Sequence, residues 1–232
     1  MKKHVIVLCI AAAVSFIFAL SLCISSLTAP VFAYESKLTI VLDAGHGGID
    51  GGVTGRKTGK KESEINLAIV MQLKLELEDS GFEVVLTRKT DGGLYDVATD
   101  GFKRRDMKKR KEIIENADPE LVVSVHQNFY SSTSVRGGQV FFEQGNERGE
   151  RLAKSIQNGL NAVYEKEGVK SREVKTGEYY MVSCCKCPSV IVECGFLSNV
   201  KDEELLVKKS GQEKITKAIY AGILGYFAEN GA

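Results

Sequence analysis

The chain has 232 residues, 26% of them charged, with 31 Lys and Arg against 30 Asp and Glu. That length suits one domain with a full core rather than two. The near-neutral balance gives no electrostatic ground for a nucleic-acid partner, and three prolines with no repeat or low-complexity tract leave no Pro-rich linker and no repeat array.

The first 36 residues differ from the rest. A basic start, MKKH, leads into residues 5–24, which carry no charge. The segment closes on APVFAYES, where Val31 and Ala33 fit the small-residue pattern before a signal-peptidase cut. The run is long for a signal core and just long enough to span a bilayer. Residues 1–36 are therefore expected to be a signal peptide or an N-terminal membrane anchor, with a single folded domain over 37–232. Either reading gives an extracytoplasmic protein, secreted or tethered, with Lys2 and Lys3 holding the N-terminus inside. Cys23 is a poor lipoprotein site, because Leu22 stands where a small residue is wanted.

Strands and helices then alternate. LTIVLD (38–43) is short, apolar and β-branched, and reads as a buried strand ended by glycine. A helix is expected over 62–81, stopped at Gly81, then a strand over 82–88 and a loop over 89–103. Residues 103–117 predict a basic, solvated helix, and ELVVSVHQN (120–128) and GQVFFE (138–143) predict strands. A helix over 146–168 carries Leu152, Ile156 and Leu160 on one stripe. SVIVEC (189–194) is again a short buried strand, followed by helices near 201–208 and 211–229. Continuous apolar strands between amphipathic helices imply an α/β single domain, a mostly parallel sheet covered by helices on both faces.

In such sheets, sites form beyond the carboxyl ends of the strands. Three expected strands end in a residue with metal or acid chemistry: His46 just after the first, His126 in VVSVH, and Glu193 in SVIVE. The chain has three histidines and His4 lies in the leader, so both remaining ones fall at the same edge. Two histidines and a carboxylate with one open position are a recurring catalytic zinc arrangement, and a further free carboxylate is needed to move the proton. Glu62, Glu64 and Glu193 are the acids on offer for the two tasks. The loop IVLDAGHGGIDGGV (40–53) is not a P-loop, since no Gly-Lys-Ser/Thr closes it. Its glycines instead let the backbone fold tightly around His46.

These blocks, IVLDAGHGGIDGG, ESEINLA, GFEVVLTR, SVHQN and PSVIVECGFLSN, in this order and at these intervals, resemble the zinc-dependent N-acetylmuramoyl-L-alanine amidases of bacteria. The resemblance covers residues 37–229. The leader together with MKKRKEI and RGGQVFFEQG is similar to the germination-specific amidases of spore formers. The resemblance implies one Zn2+ held by His46, Glu62 and His126, with Glu193 as the catalytic acid–base. The substrate implied is peptidoglycan, cut at the amide between N-acetylmuramic acid and L-alanine. The subgroup adds spore cortex as the wall, muramic lactam as the use of the peptide-free sugar, and the spore intermembrane space as the place. Another zinc hydrolase of wall peptides, such as a carboxypeptidase, and a non-catalytic wall-binding module are the rival readings. Whether a protein partner is needed to seat the metal stays open.

Several residues carry two readings each. Glu64 is a competing ligand or an exposed acid of the first helical turn, favoured there by the helix dipole. Glu193 is otherwise a buried acid paired with a base such as Arg136. Asn128 holds a substrate hydrogen bond or a turn, and Asp43 orients a ligand or only the loop. The basic run Arg104, Arg105, Lys108, Lys109, Arg110 and Lys111 is expected to be a solvated face, with contact to anionic wall polymer or lipid as the sharper alternative. Of the six cysteines, Cys184, Cys185, Cys187 and Cys194 lie in the domain. They are expected to be free thiols, the C-x-x-C spacing of Cys184 and Cys187 having no second pair to make a zinc ribbon.

Overall fold

A computed structural model describes residues 37–230; the leader expectations lie outside them. Six strands form one sheet: β1 (Thr39–Ala44), β2 (Glu83–Leu86), β3 (Leu121–Asn128), β4 (Gln139–Phe142), β5 (Lys175–Thr176) and β6 (Ser189–Phe196), in the order β2-β1-β3-β6-β4-β5. All neighbours run parallel except β4 against β6. The helices are α1 (Glu62–Asp79), α2 (Phe102–Ala117), α3 (Glu147–Glu165), α4 (Tyr180–Ser183), α5 (Val200–Val207) and α6 (Lys209–Asn230).

The alternation of side chains along each strand sends neighbours to opposite faces. Ile40, Leu42, Val123, Val125, Val190 and Val192 pack against α1, α3 and α6 in the larger core. Val41, Val122 and Ile191 pack on the other face against Ile114 of α2 and Met181 and Val182 of α4. Both faces are thus covered, which is why the central strands read as unbroken apolar runs. The α/β class and the mostly parallel, doubly covered sheet hold. Asn146 caps α3 by accepting from Gly149 N at 2.9 Å, and Asn199 caps α5 by accepting from Lys201 N and Asp202 N.

Three features were not legible. β5 is two exposed residues held only by pairing with Phe141 and Phe142, so it has no apolar pattern. α4 is a single turn. The helix at 102–117 is not solvated all round: Asp106, Arg110 and Ile114 are buried, which removes Arg110 from the expected basic face.

The topology places the site. The chain leaves β1 for β2 on one side, then crosses to β3 on the other. That reversal opens a crevice at the carboxyl ends of β1 and β3. His46 lies just past the end of β1, and His126 is near the end of β3.

Candidate active site

Glu62 opens α1 and is buried beneath both imidazoles. Its Oε1 lies 2.9 Å from His126 Nδ1 and 3.2 Å from His46 Nε2, and it also accepts from Gln127 N at 3.0 Å. Its Oε2 accepts from Val53 N at 2.9 Å. The two rings stand edge to face with centroids 5.0 Å apart. One ligand atom from each of His46, Glu62 and His126 lies within 4.8 Å of the others. Burial works against charge on Glu62, but the His126 and His46 contacts outweigh it and hold the carboxyl well below the usual carboxylate range.

The backbone makes room for this. His46 has φ +61°, a left-handed conformation that costs a non-glycine residue about 1 kcal/mol or more. A Cβ on Gly45 would overlap the His126 ring, and one on Gly52 would overlap the Glu62 carboxylate. The glycines of the loop therefore admit the two ligand groups at close quarters. Asp50 faces His46 from the far side, its Oδ2 3.1 Å from Nδ1. Burial opposes a proton on His46, yet Glu62 and Asp50 together push its pKa up to about 9. A carboxylate behind a ligating imidazole fixes its orientation and raises its basicity. Asp50 has a weak sequence signal only: an acid four residues past the histidine of a glycine loop.

Glu193 sits in β6 directly across from His126 in β3. Its Oε2 is buried without a hydrogen-bond partner among the described residues. Burial raises its pKa to about 7; His126 and His46 pull it down in part, and the Glu62 charge pushes it up. Arg136 is not its counter-ion: that guanidinium pairs with Asp202 at 2.7 Å. Glu64 is turned outward to Lys60, 2.6 Å away, and plays no part in the cluster. Asn128 makes a turn contact, its Oδ1 accepting from Phe129 N at 2.7 Å. Asp43 lies in the floor, where Arg110 reaches its Oδ1 at 2.5 Å and Thr87 and Ser124 donate to it. Its pKa falls to about 2, since Arg110 and these donors outweigh burial.

The donor set fits a borderline divalent cation. Two imidazole nitrogens and a carboxylate oxygen face one point, and the excess of acid around them lifts the proton affinity of His46. Neutral imidazole and carboxylate are ligands that suit zinc. A cavity of about 250 Å³ opens beside the cluster, walled by Tyr95, Phe102, Met107, Tyr179 and Tyr180. The cysteines stand apart from it. Cys185 and Cys187 form a disulfide, contrary to the expectation of free thiols, while Cys184 and Cys194 are free and buried. Cys184 caps the C-terminal end of α4 and is buried in the smaller core, while Cys185 and Cys187 are partly buried against the same cluster.

Known proteins share this arrangement of chain. A family model for N-acetylmuramoyl-L-alanine amidase matches residues 40–225. The germination-specific N-acetylmuramoyl-L-alanine amidase of Bacillus subtilis is 36% identical over 195 residues, covering 83% of this chain and 81% of that protein. LytC, an N-acetylmuramoyl-L-alanine amidase of the same organism, is 31% identical over 191 residues, 82% of this chain but 35% of its own length. Among solved structures, the CwlD amidase from Clostridioides difficile in complex with the GerS lipoprotein is 40% identical with a TM-score of 0.79, covering 83% of this chain and 100% of that one. A match that runs from β1 into α6 takes in the whole sheet and every residue of the histidine and glutamate cluster, so this chain belongs to the N-acetylmuramoyl-L-alanine amidase family.

Proposed function

We propose that this amidase removes stem peptides from spore-cortex peptidoglycan, hydrolysing the amide between the lactyl group of N-acetylmuramic acid and L-alanine, with zinc held by His46, Glu62 and His126. The observation that carries the reading is the convergence of those three ligand atoms within 4.8 Å beside a buried, unpartnered carboxylate oxygen of Glu193. Bound zinc would supply Lewis acidity and lower the pKa of a water to about 7. Glu193 takes the proton of the attacking water and delivers it to the departing amine of L-alanine. Burial beside the cluster raises the proton affinity of this carboxyl, which suits a group that both takes and returns a proton. Asp50 holds the His46 ring, and Tyr95, Tyr179 and Tyr180 line the cavity in which the substrate would sit.

The cortex assignment rests on the germination-specific relative, which this chain matches over 81% of its length. The product glycan would be the precursor of muramic lactam. The leader supports a place of action outside the cytoplasm, secreted or anchored, and the cortex reading would make that the spore intermembrane space. The CwlD amidase was solved with the GerS lipoprotein, and a lipoprotein is accordingly the class of activating partner we propose here.

Purified muropeptides, digested with and without a chelator, test the reaction. Release of peptides with free N-terminal L-alanine, abolished by the chelator and restored by zinc, is the expected result. Release of a C-terminal residue instead would assign a carboxypeptidase, and no turnover by the zinc-loaded chain with its lipoprotein partner would leave a wall-binding module.

A further inference from the structure

Beneath the cluster lie two buried guanidiniums that the reaction itself does not use. Arg110 is 1% exposed and Arg88 is 3% exposed. Between them they hold three consecutive carbonyls at the end of β1. Arg88 donates to Ala44 O at 2.8 Å and Gly45 O at 3.1 Å. Arg110 donates to Ala44 O at 2.8 Å and His46 O at 2.6 Å. Arg110 is itself locked by Asp43 Oδ1 at 2.5 Å and Asp106 Oδ2 at 2.6 Å. Arg88 reaches on to Ser63 O at 2.8 Å, the neighbour of Glu62. Asn66 closes the set: its Nδ2 donates to Gly45 O at 3.1 Å, and its Oδ1 accepts from Gln127 Nε2, beside His126.

A buried charge is costly unless fully paired, and a sheet face is covered more cheaply by apolar side chains. What the guanidinium adds is a rigid planar fork with several donors at fixed angles. Here that fork ends on the carbonyl of a histidine held at φ +61°. An isolated chain would leave that conformation readily, and the ring would swing away from Glu62.

We propose that Arg110 is a positioning residue for the candidate metal site, clamping the His46 backbone so that its imidazole stands in ligand position before any cation arrives, with Arg88 tying the same loop to the start of α1. The inference rests on the reading of His46 as a metal ligand. It moves Arg110 from wall contact, suggested by the basic run around it, to the inner face of α2. The clamp acts through the backbone, so its loss shows in metal affinity rather than only in folding. Loss of one such supporting contact typically weakens metal binding about 10–100-fold.

The test uses the full chain in detergent, stripped of metal, with zinc affinity measured by competition against a chromogenic chelator. Arg110→Met and Arg110→Lys are expected to bind zinc roughly 10–100-fold more weakly than the wild type. Lysine keeps the charge facing Asp43 but cannot span Asp43, Asp106 and His46 O together, so it folds even where Met does not. The cobalt-loaded Lys variant should show shifted d–d absorption bands, reporting a displaced imidazole. Ser124→Ala is the control: it deletes the bond that Ser124 Oγ donates to Asp43 Oδ2 in the same floor, on the carboxylate oxygen that Arg110 does not hold. Its stability should fall while its zinc affinity holds. Wild-type affinity and bands in Arg110→Lys would overturn the clamp while leaving His46 a ligand. Equal zinc binding by wild type and His46→Ala, or none by either, would overturn the metal reading and the clamp with it.

Discussion

Replacing Glu193 by Gln removes a charge and a proton acceptor at almost constant shape. Burial lifts this carboxyl from an ordinary 4.5 to about 7. The folded chain therefore holds the proton more tightly than the unfolded chain. The stability this lends is complete below pH 4.5 and is lost as pH rises through 7. At about 1.4 kcal/mol per pH unit, the gap amounts to ~3 kcal/mol. Most of it falls between about pH 5 and about pH 8.5. Urea unfolding of metal-free wild type and Glu193→Gln at those two pH values reads it directly. The variant lacks this slope, so the wild type should lose ~2–3 kcal/mol relative to it on going to the higher pH. Titrating groups away from the cluster are common to both chains and cancel in the difference. Zinc should move the wild-type slope to lower pH, because a dication beside the carboxyl favours its ionised form. In the zinc-loaded enzyme the same variant should lose roughly 10²–10⁴-fold in hydrolysis while keeping its metal. A stability difference between the two chains that stays constant with pH would refute the burial argument. Retained turnover would refute the catalytic role.

Three further outcomes follow from the same geometry. His46 holds its proton to about pH 9 in the metal-free protein, so zinc binding at about pH 8, where Glu193 is already mostly ionised, should release about one proton. Titration calorimetry in buffers of different ionisation enthalpy measures this; buffer-independent heats would speak against His46 as ligand. Asp43→Asn leaves Arg110 facing an amide in a dry floor and should cost roughly 3 kcal/mol by urea unfolding near pH 7. Because the Asp43 carboxyl titrates near 2 rather than at its ordinary 3.8, the wild-type advantage is present above 3.8 and narrows as pH falls through 2. Gly52→Ala places a methyl group against Glu62 and His46 at φ +67°, so both stability and zinc affinity should drop, the former by about 1 kcal/mol or more. Unchanged affinity there would show that the loop has slack.

What could be read from the sequence follows the strength of the physical pattern. β1, β3 and β6 are covered on both faces, and their apolar runs sit within two residues of where they were expected. β5 and α4 carry no comparable pattern. His46 and His126 were legible because histidines are few and both fall at strand ends. Periodicity alone left Glu62 and Glu64 open, since both lie in the first turn of α1. Packing separates them: Glu62 turns under the sheet edge, and Glu64 meets Lys60 in solvent. Arg110 was masked by its neighbours. Asp106, Arg110 and Ile114 recur every four residues on the buried side of α2, a stripe that the surrounding lysines and arginines outweigh in any average of charge. Asp50 stands in a loop whose path depends on several positive-φ glycines, and no residue spacing encodes that path.

The charges around the cluster bear on how Glu193, the proposed base, would hold and release its proton. In the floor, Arg110 and Arg88 stand against Asp43 and Asp106, so that layer is close to neutral. Above it, Glu62, Asp50 and Glu193 share their space with two imidazoles that are neutral in the absence of protons. Three acids so close cannot all ionise cheaply in a partly dry crevice. Without a cation the excess is relieved by protons, on His46 up to about pH 9 and on Glu193 up to about pH 7. A dication held by His46, Glu62 and His126 would relieve the same excess, displacing the His46 proton and favouring the ionised form of Glu193. The base thus becomes available at neutral pH when the site is loaded. On the proposed reading, an unloaded chain keeps that carboxyl largely protonated below pH 7 and so would lack its base as well as its metal.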